Sequence, residues 1–105
     1  MRERMTHVRI WTFRPPPGRE QEFSAAYGSD GAWAALFAQA AGFRETRLLR
    51  PVEAGGWWMT IDRWNSVADF DAFQRDFGER YQSLDAELEG VAGEERFIGV
   101  FEEDG

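Results

Sequence analysis

Residues 57–64 read Trp57-Trp58-Met59-Thr60-Ile61-Asp62-Arg63-Trp64. As a strand, this stretch puts Trp58, Thr60, Asp62 and Trp64 on one face and Trp57, Met59 and Ile61 on the other. A strand with one face in water alternates apolar with polar residues. This one carries large apolar groups on both sides, so both faces of its sheet need a cover.

The neighbouring segments say what the first cover is. Upstream, Glu53-Ala54-Gly55-Gly56 is a turn, and Phe43–Arg50 reads as the strand that pairs antiparallel across it. Downstream, Ser66-Val67-Ala68-Asp69 has the spacing of a helix capping box. Phe70, Phe73, Phe77, Tyr81, Leu84 and Leu88 then follow at three- and four-residue steps, one apolar helical stripe. Gly78 is expected to kink this helix or divide it into two pieces, and Gly90 to end it. Arg96–Glu102 is the last strand, with Phe97 and Phe101 on one side and Ile98 and Val100 on the other.

Toward the N-terminus, Thr6–Arg14 alternates as a strand, with Val8, Ile10 and Thr12 opposite His7, Arg9, Trp11 and Phe13. Pro15-Pro16-Pro17 ends it. Arg19–Tyr27 is a short helix with Phe23, Ala26 and Tyr27 on one side. Asp30 is expected to cap a second piece carrying Trp33, Leu36, Phe37 and Ala40.

The order is β-α-β-β-α-β, an α+β, ferredoxin-like plan: a four-stranded antiparallel sheet with its helices on one face. The 105 residues make one domain, 1–105, by this reading. One helical layer covers one sheet face. A second copy packed sheet to sheet is the simplest cover for the other.

Composition narrows the function. Twelve basic residues, all arginine, stand against nineteen acidic ones, a net charge of −7. A nucleic-acid partner needs the opposite field. Without lysine there is no Schiff base and no phosphate-loop lysine. Without cysteine there is no disulfide, thiolate or zinc ribbon. His7 is the one histidine in the chain, too few for the usual zinc site. No apolar run reaches roughly 18 residues, so no membrane span is expected. Met1-Arg2-Glu3-Arg4-Met5 leads into no apolar block, so a cytoplasmic location is expected.

Phe23-x-x-x-Tyr27-Gly28, Asp30-Gly31-x-Trp33, Gly42-Phe43, Leu48-Leu49-Arg50, Asp62-Arg63-Trp64, Phe70-x-x-Phe73, Tyr81-x-x-Leu84-Asp85 and Ile98-Gly99 occur in that order. The set resembles the antibiotic biosynthesis monooxygenase family over about Val8 to Glu102. The resemblance implies a dimeric α/β-barrel with a pocket between each sheet and its helices. It also implies an oxygenase of aromatic polyketides that uses neither metal nor flavin, or a haem-degrading oxygenase. Trp64 matches the tryptophan of both kinds. Thr60 stands where the polyketide oxygenases have an Asn, and Phe70 where they have a Tyr. Trp11 stands where the haem-degrading branch has an Asn, and the second helix lacks that branch's His.

The candidate site follows from these residues. Trp64, Asp62 and Arg9 are the catalytic candidates. Arg9 and Asp62 share the helix-facing side of neighbouring strands, where burial requires that they pair. Trp11, Tyr27, Trp58, Thr60, Phe70, Phe73, Phe77 and Tyr81 would line a slot for a flat apolar molecule. Plain core packing is the alternative for any one ring. His7 is read as a partly solvated strand-end residue that could act as a base. Asp76, Glu79, Asp85, Glu87 and Glu89 are read as a solvated helix face. The expected function is a cofactor-independent monooxygenase acting on a small aromatic substrate, as a homodimer, without cofactor or metal. A non-catalytic ligand-binding or partner-binding dimer of the same fold is the alternative.

Overall fold

The computed structural model describes residues 5–104; the N-terminal reading of Met1–Arg4 lies outside them. Strand β1 is Thr6–Arg14, followed by helices α1, Glu20–Tyr27, and α2, Ala32–Phe37. Strands β2, Phe43–Leu49, and β3, Trp58–Trp64, come next. Helices α3, Val67–Glu87, and α4, Glu89–Ala92, precede β4, Glu94–Glu103. The sheet order is β2-β3-β1-β4 and every pairing is antiparallel. This is the ferredoxin-like α+β fold, with β1 and β3 central.

Strand β3 alternates as its sequence requires: Trp58, Thr60, Asp62 and Trp64 are buried beneath the helices, and the residues between them are half-buried on the other side. Trp57 lies on that other side, between the guanidinium groups of Arg14 and Arg96, 4.8 and 4.5 Å from its ring. Helix α1 contributes Phe23 and Tyr27, one turn apart and stacked with ring centroids 4.5 Å apart. Helix α3 begins at Ser66, whose hydroxyl accepts from the Asp69 N–H at 3.1 Å. That half of the capping box satisfies one otherwise orphaned donor.

Three local expectations need correction. The kink in α3 falls on Phe77 (φ −123°, ψ 15°), immediately before Gly78. Gly90 does not end the helical stretch but sits inside α4; Leu88 separates the two helices, and Gly93, at φ +65°, ends α4. A side chain at Gly93 would lie 2.2 Å from the Arg14 carbonyl oxygen, so only glycine fits this junction. Helix α2 is capped by Gly31 rather than Asp30 and has no side-chain cap. A Cβ at Gly31 would meet the Ala25 and Ala26 carbonyl oxygens at 2.5 and 2.4 Å.

Strict alternation also fails along β4. Ile10 pairs with Gly99 but Trp11 pairs with Phe97, which leaves Ile98 as the extra residue of a bulge. Phe97 therefore faces the helix side with Trp11, ring centroids 5.0 Å apart. Phe101, opposite Val8, faces the outer side. The outer face presents Ile10, Met59 and Ile61, with Leu49 and Phe101 each 46% exposed.

Candidate functional site

Between the sheet and the helices lies a cavity of about 130 Å³. Strand β1 supplies Trp11 and Phe13, β2 supplies Thr46, and β3 supplies Thr60 and Asp62. Tyr27, Trp33 and Phe37 close it from α1 and α2, Tyr81 and Asp85 from α3, and Glu95 from β4.

Asp62 is the buried charge of this wall, 8% exposed. Its Oδ1 accepts from the Thr46 hydroxyl at 2.8 Å. Burial pushes its pKa up from 3.8 to about 6, against the opposing effects of the Thr46 hydrogen bond and the Arg9 charge. A carboxyl of this kind changes protonation close to neutral pH and can take up and return a proton there. Burial also raises the Tyr27 hydroxyl to about 12. Tyr81 is raised too, first by burial and then by the charges of Asp85 and Asp62. Both phenols are therefore neutral hydrogen-bonding groups at the wall.

Arg9 and Asp62 stand directly opposite in the β1–β3 register, yet no ion pair joins them among the described residues. The expected pairing is corrected on this point. The Arg9 guanidinium instead lies over the rings of Phe70 and Phe97, 4.0 and 4.9 Å from their centroids, where ring faces attract the cation. His7 is also corrected. It is 5% exposed rather than partly solvated, and its ring lies 5.7 Å from that of Phe70. Burial, then the Arg9 charge, lowers its pKa.

Five of the sequence candidates meet at the cavity: Trp11, Tyr27, Thr60, Asp62 and Tyr81. Six do not line it. Trp64 is fully buried among Phe37, Phe43, Phe70 and Phe73, at centroid distances of 5.2–5.6 Å. Phe70, Phe73 and Phe77 form the stack beside it. Trp58 packs on Phe23 and beneath Arg50. Arg9 sits on the Phe70 side of the sheet.

Sequence reasoning missed Phe13, Trp33, Phe37, Thr46 and Glu95 as wall residues, and it read Asp85 as part of a solvated helix face. Asp85 is exposed, but at the cavity's edge. Alternation alone put Phe13 on the correct side. Thr46 is visible only through the β2–β3 register, which pairs it with Asp62.

Residues 6–86 match the family described as antibiotic biosynthesis monooxygenase. The chain belongs to the antibiotic biosynthesis monooxygenase family. No curated relative matches it. Among solved structures, this family member is similar to a variant of SnoaB, a cofactor-independent oxygenase from Streptomyces nogalater, with a TM-score of 0.72 and 21% identity over 91% of this chain and 90% of the other. It is also similar to an anthrone oxidase-like protein, with a TM-score of 0.62 and 20% identity over 94% of this chain and 46% of that one. A third likeness is to a haem-degrading protein of Mycobacterium tuberculosis in a haem-free, cleaved form, with a TM-score of 0.54 and 26% identity over 66% and 77% of the two chains. The antibiotic biosynthesis monooxygenase fold seen here is thus one that the chain shares with SnoaB. Among the described residues, no group of three or more His, Asp or Glu is placed to hold a metal ion. Among the described residues, no helix is long and apolar enough to cross a membrane.

Proposed function

We propose that this protein is a cofactor-independent monooxygenase that oxidises a phenolic ring bound in the cavity, with Asp62 as the proton acceptor. The observation that carries this reading is the Asp62 carboxyl: buried, on the cavity wall, and hydrogen-bonded by a neutral hydroxyl rather than closed into an ion pair. A base of this strength, held in an apolar slot, suits the first step of such a reaction.

In that step Asp62 takes the proton of the phenolic O–H. The phenolate then supplies the electron pair that forms a bond between a ring carbon and dioxygen. Asp62 returns its proton to the peroxide. The O–O bond breaks as the ring hydrogen leaves that carbon, and water departs. The sum is phenol plus dioxygen giving quinone plus water. Both electron pairs come from the substrate, so no external reductant enters. The Thr46 hydroxyl and, after it, the positive field of Arg9 opposite hold the carboxyl near 6 rather than higher. Trp11, Tyr27 and Tyr81 position the ring, and the Thr60 hydroxyl offers a hydrogen bond within the slot. Trp58, Trp64, Phe70, Phe73 and Phe77 act from behind the wall; Trp64 touches it through Phe37. The exposed apolar residues of the outer face support a homodimer closed sheet to sheet. A cysteine-free chain fits the cytoplasm.

Oxygen uptake by chelator-treated protein on a panel of phenols tests the reading. Uptake with one quinone and one water formed per dioxygen supports it. The second reading, ligand binding without turnover, is favoured by Thr60 and Phe70 standing where the family's polyketide oxygenases have Asn and Tyr. Saturable binding with no oxygen uptake across the panel would establish it instead.

A further inference from the structure

The cavity wall is one-sided in charge. Asp62, Asp85 and Glu95 contribute three carboxyls, and no arginine lines the same space. Glu95 is raised first by partial burial and then by the Asp85 charge. Both residues are exposed and line the same cavity, which places them at its edge. Glu94, next along β4, is neutralised by Arg14 at 2.8 Å. No such partner reaches Asp85 or Glu95 among the described residues.

Much of the rest of the lining is aromatic. Trp33 stands 4.9 Å from Tyr81 and 6.1 Å from Tyr27, measured between ring centroids. Ring faces flanked by carboxylates are what a cationic nitrogen requires. Trp33, 7% exposed, closes the wall beside Tyr27: its indole N–H lies toward the Tyr27 hydroxyl, and that contact partly opposes the rise in the Tyr27 pKa caused by burial. Size sets a further constraint. A space of about 130 Å³ holds about one benzene ring, with anything longer reaching out through the mouth.

We infer that the substrate is a single-ring phenol carrying a protonated amine on a short arm, with its ring and hydroxyl inside the cavity and its ammonium between Asp85 and Glu95. This rests on the cavity being the substrate site proposed above and names the substrate class for it. An anionic side arm is disfavoured by the same carboxyls.

Three probes on the same phenol ring decide the matter: 3-(2-aminoethyl)phenol, its neutral isostere 3-propylphenol, and 3-hydroxyphenylacetate. Their dissociation constants are measured by calorimetry at pH 7.5, alongside oxygen uptake. The amine should bind at least tenfold more tightly than the neutral phenol, and the acid more weakly than either. The advantage should shrink as salt rises, because the mouth carboxyls are exposed. The double variant Asp85→Asn, Glu95→Gln should bring the ratio of amine to neutral affinity close to one. A neutral phenol that binds as tightly as the amine, a ratio that survives the double variant, or no binding by any probe overturns the inference. A neutral phenol oxidised with no preference for the amine would refute the inference and leave the oxygenase reading intact. A strong preference for the amine without oxygen uptake would do the reverse.

Discussion

The Asp62 carboxylate accepts a 2.8 Å hydrogen bond from the Thr46 hydroxyl across the β2–β3 register. A neutral donor offsets only part of the cost of burying the charge. Stability should therefore depend on pH in a particular direction. The folded-state pKa of about 6 lies above the ordinary 3.8. Between these values the folded protein keeps a proton that the unfolded chain releases, so stability falls as pH rises from about 4 to about 6 and is level above. A two-unit shift corresponds to about 2–3 kcal/mol. Asn can still accept the Thr46 hydrogen bond and carries no charge. Asp62→Asn should thus be more stable than wild type at pH 7.5 and lose this slope, as measured by urea unfolding across pH.

Trp64 presents the opposite case, a large ring with no charge. It is fully buried, and its indole N–H has no hydrogen-bond partner among the described residues. Trp64→Phe keeps most of the ring volume and removes the unpaired donor. It should change stability by less than about 1.5 kcal/mol. Trp64→Ala should cost about 3–5 kcal/mol through the cavity it opens. Phenol affinity in Trp64→Phe should stay within a few-fold of wild type, whereas Trp33→Leu should weaken it at least tenfold, because Trp33 lines the cavity and Trp64 does not.

Ile10 and Ile61 face each other across the β1–β3 pairing on the outer side of the sheet. If that side is the dimer interface, light scattering after size exclusion should give about twice the 12.1 kDa of one chain. Ile61→Glu would bury a charge at that interface and should give a folded 12 kDa species, identified by circular dichroism. A monomeric wild type would contradict the sheet-to-sheet arrangement.

The fold was legible because its signals are periodic. Alternation in residues 57–64 and the Phe70-to-Leu88 stripe each select one face, and register and topology follow from the turns between them. The site was less legible because its members come from seven different elements. Asp62 and Tyr81 stand out as polar groups on apolar faces. Thr46 and Glu95 do not, since their roles depend on strand register and on where β4 begins. The Arg9–Asp62 pairing failed for a related reason. Two residues can oppose one another in register while their side chains take different partners, here the Thr46 hydroxyl and the Phe70 ring. The bulge at Ile98 has no sequence signal beyond Gly99, and it alone separates Phe97 from Phe101.

The central claim is that Asp62 is the base. The most direct measurement is the steady-state rate of oxygen uptake with a phenol between pH 5 and 8, for wild type and for Asp62→Asn. Wild type should rise through an apparent pKa of about 6, where the carboxyl ionises. Asp62→Asn should fold, bind the phenol, lose that inflection and run about 10²–10⁴-fold slower. A folded Asp62→Asn protein that keeps the wild-type rate and the same inflection would contradict the account.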